Sequence, residues 1–274
     1  MIEYTFNMHA DLLYYLLVHM KVENASDTFD EDYITKMKQL LNASPCISDK
    51  MIQYYNANFE RLAMINFFPL MAGDIAELTG MIRMLYGMSD EDKAEFINPF
   101  CALIEEWEKP YSCYWKMYND SIKDEKSKII NLLNCMVMDF SLFFDDIFGR
   151  LNVKLNVVFS HSLRKNGRAT KYGDKYIVML TFPDETHTTE EIFFQLIHEC
   201  THAITDPLIQ GIRMDDGTHD IAEYQVILFD LWLMEKLNHI YAEKYTQWIS
   251  KEVLDECYRN LSEEQIIVLK NMLN

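Results

Sequence analysis

The stretch Thr188-Thr189-Glu190-Glu191-Ile192-Phe193-Phe194-Gln195-Leu196-Ile197-His198-Glu199-Cys200-Thr201-His202-Ala203-Ile204-Thr205 decides how the rest of the chain is read. Thr188 with Glu191 three residues on is a capping-box pair, which marks a helix start. Ile192, Phe193, Leu196, Ile197, Cys200, Ala203 and Ile204 then recur at helical spacing as an apolar face. Glu191, Gln195, His198 and His202 fall on a separate polar stripe. The spacing predicts one helix over 188–205, with its histidines turned away from the core.

On a helix, residues four apart share a face, so the imidazoles of His198 and His202 reach one point while Glu199 faces the adjoining space. Neutral imidazole is a good Zn²⁺ ligand, and a carboxylate beside a metal ion can take the proton of a water molecule. A lone histidine is as readily a packing residue as a ligand; the pair with its glutamate reads as metal binding, one Zn²⁺ per chain. A catalytic zinc usually has three protein ligands, so one more His, Asp or Glu is required. A second helix, predicted from Thr218 to about Asn238, carries Asp220, Glu223 and Asp230. Glu223 is the chosen third ligand, with Asp220 and His219 as rivals. Asp230, on the same helix face as Glu223, reads either as a partner for a histidine's second nitrogen or as a surface carboxylate.

Composition sets the outer bounds. A chain of 274 residues is long enough to bury a large core without disulfide support. Its 43 acidic and 25 basic residues leave a net charge of −18, which argues against a nucleic-acid or anionic-membrane partner. The six cysteines, at 46, 101, 113, 135, 200 and 257, contain no CxxC pair and read as buried thiols of a reducing compartment. The N-terminal segment has no basic leader or small-residue cleavage site. No apolar run reaches the roughly 18 residues that a membrane helix needs. A cytoplasmic location is expected.

The predicted fold class is α+β, mostly α. Residues 1–150 read as consecutive helices forming a bundle, with starts at Thr28–Glu31 and Ser89–Asp92 and stops or kinks near Pro45, Pro69, Pro99 and Pro110. Residues 151–274 read as a second unit. In it Val153, Leu155, Val157 and Phe159 alternate with Lys154, Asn156, Val158 and Ser160, and Tyr176–Leu180 follows a turn at 164–168. Together they predict a small antiparallel sheet, an exposed hairpin whose charges protect its edges. After the His198 helix, a turn-rich stretch through Gly211 to Thr218 lets the chain double back. Two more helices, about 241–258 and 263–273, close it, the last opened by Ser262 and Gln265.

HExxH followed at this distance by a glutamate on a second helix resembles the gluzincin group of zinc metallopeptidases, thermolysin-like and minimal gluzincin folds, over about residues 151–238. The resemblance implies a zincin-like unit that hydrolyses peptide bonds in a peptide or protein substrate. His198, His202 and Glu223 would be its zinc ligands, and Glu199 its catalytic glutamate. Lys175–Phe182 would match the edge strand along which such enzymes lay an extended peptide. Ala222 stands where the family has an asparagine. The family's downstream oxyanion-stabilising Tyr or His has only positional candidates here: His219, Tyr224, His239 and Tyr241. Gly217-Thr218-His219-Asp220 faintly resembles the aspzincin pattern, but its aspartate falls one place short; Leu208 excludes the metzincin arrangement. The competing readings are a zincin-like binding or regulatory module without turnover, and a helical interaction protein in which HECTH is accidental. Substrate specificity, oligomeric state and the role of residues 1–150 are left open by the sequence.

Overall fold

A strand with one solvated face shows alternating burial, and the strands of this protein do not. In the computed structural model, which describes residues 2–20, 29–164, 167–183, 187–209 and 216–273, Leu155 to Ser160 are buried without a break. The same holds for Tyr176 to Thr181. Both runs belong to one sheet of four strands, β1 (Glu3–Phe6), β2 (Lys154–Ser160), β3 (Arg168–Tyr172) and β4 (Lys175–Thr181), in the order β1-β2-β4-β3. β1 pairs parallel to β2 and β2 parallel to β4; β3 alone is antiparallel, to β4. Strands buried on both faces are what parallel pairing brings.

This corrects three expectations. The sheet is mixed rather than antiparallel. Its first strand lies in the region expected to be all helical, where four residues are too few to show a period of two. And β4 is an interior strand: its backbone groups are spent on β2 and β3, so Lys175–Phe182 cannot serve as the edge for an extended peptide. The charged residues of the supposed hairpin, Lys154, Lys171 and Lys175, are exposed, but the hairpin itself is not.

The chain forms two compact units. Unit 1 joins Met1–Lys128 to Lys154–Phe182, and unit 2 joins Ile129–Val153 to Pro183–Asn274. The sheet therefore goes with the N-terminal helices, and the division does not fall at residue 150. The overall class is α+β and mostly α, as expected.

In unit 1, α1 (Met8–Val18) is buried on every side, from His9 to Leu17. Around it stand α2 (Glu31–Leu41), α3 (Asp49–Ala57), α4 (Ile75–Arg83) and α5 (Asn98–Ser121), the last entered through a short π-helical turn, Lys93–Ile97. Ser89 and Asp92 form the expected capping box. Thr28 lies outside the described residues, and Asp30 caps α2, accepting from the Tyr33 N–H at 2.7 Å. Pro110 does not end α5, which runs through it with the proline on the exposed side. The buried Asp11 carboxylate ties α1 to the end of β2 and to α5. It accepts hydrogen bonds from Ser160 Oγ at 2.5 Å, Trp115 Nε1 at 2.6 Å and Ser162 N at 3.1 Å.

α6 (Lys123–Asp139) crosses from unit 1 into unit 2, and α7 (Ser141–Leu151) follows it. Unit 2 continues with α8 (Thr189–Thr205), α9 (Asp216–Leu237), α10 (His239–Ile249), α11 (Lys251–Asn260) and α12 (Glu263–Met272). The helix expected over 241–258 is two, broken at Ser250, whose φ of 74° is a left-handed value that a β-carbon disfavours. Ser262 and Gln265 form the capping box of α12. Among the described residues no single helix is long and apolar enough to cross a membrane.

Candidate metal centre

α8 begins where the capping box puts it. Thr188 Oγ1 accepts from the Glu191 N–H at 3.2 Å, and Glu191 Oε2 from the Thr188 N–H at 2.8 Å. Its burial is wider than a one-sided helix would give: Phe194, Gln195 and Thr201 are buried as well as the apolar face. α9 is apolar on most sides, with Val226 to Leu231 all buried. A helix so enclosed carries its few polar side chains into the interior, and Glu223 and Asp230 are such side chains.

There His198, His202 and Glu223 converge, all within 4.8 Å of one another at their ligand atoms. His198 Nε2 lies 3.1 Å from Glu223 Oε2, His202 Nε2 lies 3.5 Å from Glu223 Oε1, and the two Nε2 atoms are 3.3 Å apart. Zinc–ligand bonds of about 2.0–2.1 Å in a tetrahedron put neighbouring ligand atoms about 3.3 Å apart. The three observed edges bracket that length. The donor set fits as well, two imidazoles and one carboxylate, each imidazole presenting Nε2.

The other nitrogen of each ring faces a carboxylate. His202 Nδ1 lies 2.9 Å from Asp206 Oδ1, and His198 Nδ1 lies 3.6 Å from Asp230 Oδ2. Asp230 is fully buried, and it accepts from the Thr201 hydroxyl and, at 3.3 Å, from Tyr245 OH. Asp206 is within hydrogen-bond distance of His202 and so fixes which nitrogen of that ring keeps its proton, whereas His198 Nδ1 makes no hydrogen bond and faces the Asp230 charge across 3.6 Å.

The electrostatics follow from this crowding. Burial works against a charged His198, but the carboxylates of Asp230 and Glu223 outweigh it and raise its pKa to about 10. His202 is raised too, burial being overcome chiefly by Asp206. Burial lifts Asp230 above the usual carboxylate range despite its donors. A cation at Nε2 competes with a proton for the same lone pair.

The structure brings together the three expected ligands and gives Asp230 the histidine-holding place rather than the surface one. Glu199 is half-buried beside His198, and its charge is felt at His202. Asp220, the rival ligand, is exposed and stands outside the cluster; the side chain of His219 and the turn through Gly211 lie outside the described residues. Three candidate oxyanion donors are engaged elsewhere. Tyr224 donates to Glu256 at 3.1 Å, Tyr241 to Asp139 at 3.5 Å, and the exposed His239 lies 3.3 Å from Glu243. Three residues of the site were missed in the sequence. Asp206 could have been found, because it stands four residues after His202 on the same face. Thr201 and Tyr245 carry no pattern and meet Asp230 only through folding. All six cysteines are free; Cys101, Cys200 and Cys257 are buried as expected, but Cys46, Cys113 and Cys135 are exposed.

Compared with known protein families, curated proteins and solved structures, the chain matches none.

Proposed function

We propose that the protein is a zinc-dependent peptidase, with His198, His202 and Glu223 as ligands of one Zn²⁺ and Glu199 as general base. The observation that carries the reading is the ligand triangle, with edges of 3.1, 3.3 and 3.5 Å on two helices and each imidazole backed by a carboxylate. When bound, zinc supplies Lewis acidity, polarising a carbonyl and lowering the pKa of water. Glu199 ligates nothing in the triangle and so is the residue to take a proton from attacking water and return it to the leaving amine. Asp206 holds the His202 imidazole by Nδ1, and the buried Asp230 carboxylate faces His198 Nδ1, an arrangement that leaves each Nε2 for the metal. The substrate is a peptide or protein segment, and the acidic surface turns nucleic acid away.

One observation favours a second reading, a zincin-like binding module without turnover. β4 is interior, and Tyr224, His239 and Tyr241 are bound elsewhere, so among the described residues neither the peptide-binding edge expected at Lys175–Phe182 nor these three oxyanion candidates are free for those roles.

Elemental analysis and peptide-library hydrolysis, run on wild type, Glu223→Ala and Glu199→Gln, separate the readings. The peptidase gives one zinc per chain, lost in Glu223→Ala and kept in Glu199→Gln, with hydrolysis absent from both variants. Zinc with no hydrolysis by wild type supports the binding module. No stoichiometric metal after zinc is supplied sinks both.

A further inference from the structure

Away from the metal ligands, unit 2 holds a cavity of about 320 Å³ that neither the zinc site nor its carboxylates use. α7 supplies Leu142, Phe143 and Ile147 to its wall, and α9 supplies Phe229 and Leu233. These residues repeat at helical spacing along the two helices and give the cavity an apolar wall. Leu142, on the lining, is exposed.

Three charged side chains join the lining, Asp146, Arg150 and Lys236, and all three are exposed. Asp146 takes the Nε of Arg150 at 2.7 Å, and Lys236 Nζ donates to the Leu273 carbonyl. Among the described lining residues two cations stand against one carboxylate, in a protein whose net charge is −18. A volume just above the roughly 300 Å³ at which ligand pockets begin, apolar walls and a few polar groups on one side describe a small-molecule site.

We propose that this cavity binds an amphipathic monoanion, a medium-length aliphatic carboxylate whose chain lies against Phe143, Ile147, Phe229 and Leu233 and whose head group meets Lys236 and Arg150. A neutral alcohol satisfies the walls but not the rim. An alkylammonium ion of the same length meets repulsion there. The site does not depend on the metal reading: its side chains ligate nothing in the histidine cluster, and zinc content is expected to be the same in every variant below.

The test is calorimetric titration of the full chain with decanoate below its micelle concentration, beside decanol and decyltrimethylammonium. Saturable binding of one decanoate per chain is expected, with the ammonium ion at least about tenfold weaker. Leu233→Trp, which fills the cavity, is expected to abolish binding. Lys236→Glu, an exposed substitution that leaves the core intact, is expected to weaken decanoate about tenfold and to strengthen the ammonium ion. The proposal is overturned if wild type shows no saturable decanoate binding, or if the ammonium ion binds as tightly. It is overturned equally if Lys236→Glu leaves decanoate affinity unchanged, a result that holds whether or not Leu233→Trp folds.

Discussion

Each unit gathers a polar cluster, and the two clusters are built on opposite plans. In unit 1, hydrogen-bond donors from Trp115, Ser160 and Ser162 converge on one acceptor, the Asp11 carboxylate. Every group there has what it needs from the chain itself. In unit 2, atoms that carry lone pairs converge on one another: His198 Nε2, His202 Nε2 and a Glu223 oxygen within 4.8 Å. Lone pairs so placed repel unless a proton or a cation lies between them. The first arrangement holds a fold together, whereas the second is suited to holding an ion. Asp11 is fully buried and the three ligand side chains are half-buried, but what divides the clusters is the sign of what converges.

The largest expected effect is on the second cluster. Glu223→Ala removes a ligand, and zinc affinity is expected to fall by more than the roughly 100-fold that loss of an outer partner costs; competition with a chromophoric chelator measures it. An affinity within tenfold of wild type would hand the third place to another residue. Next comes the first cluster, where Asp11→Ala takes the acceptor from the buried Ser160 hydroxyl and the half-buried Trp115 N–H, and one of two acceptors from the Ser162 N–H. A loss of about 3 kcal/mol in urea unfolding is expected, whether or not zinc is present. If instead the loss depended on zinc, the division between a structural and a metal-binding cluster would fail.

Asp230→Asn tests how sharp that division is. It keeps the buried shape but weakens the hold on His198 Nδ1, so zinc affinity is expected to drop about 10–100-fold with the ligands untouched. Helical circular dichroism should be unchanged.

Acid titration is a smaller probe, and it separates two aspartates within unit 1. Burial raises Asp11 to about 6, against its hydrogen bonds, from an ordinary value of 3.8. The folded state therefore binds this proton more readily than the unfolded chain. Its contribution to stability grows as pH falls through 6 and levels off below 3.8. Asp92 is the reverse. Burial opposes its charge, but Arg61, the Ser89 N–H and hydroxyl and Tyr54 hold its carboxyl well below the usual range. That stability is present above the unfolded value and is lost as pH falls through the folded one. Urea midpoints across this range should be flatter for Asp11→Asn than for wild type on the first limb, and for Asp92→Asn on the second; matching curves would remove the assignment. The smallest effect lies in the backbone of unit 2. Ser250→Gly relieves a residue at φ 74° and ψ 152°, a region nearly confined to glycine, and should stabilise unit 2 by about 1 kcal/mol.

Local signals determined much of this protein. The capping boxes at Ser89, Thr188 and Ser262 start helices as written, because their hydrogen bonds span only three residues. The pairing of His198 with His202 follows from helical pitch alone. Glu223 was chosen over Asp220 by resemblance to the gluzincin spacing, and no local hydrogen bond marks it.

What the sequence left undecided depends on contacts between distant segments. β1 joins the sheet by pairing with β2 across some 150 residues, and no local pattern in Glu3–Phe6 announces it. The mixed order of the sheet, and with it the interior place of β4, was settled by that pairing and by parallel contact between β2 and β4. Asp230 showed helical phase with Glu223 but not its burial, which comes from the apolar surroundings of α9 and from Thr201 and Tyr245 on neighbouring helices. The break at Ser250 has no glycine or proline to mark it. Hydrogen bonds within a turn are written in adjacent residues; a buried charge, a strand's neighbours and a cavity's walls exist only once remote surfaces have met, and tertiary structure alone decided them.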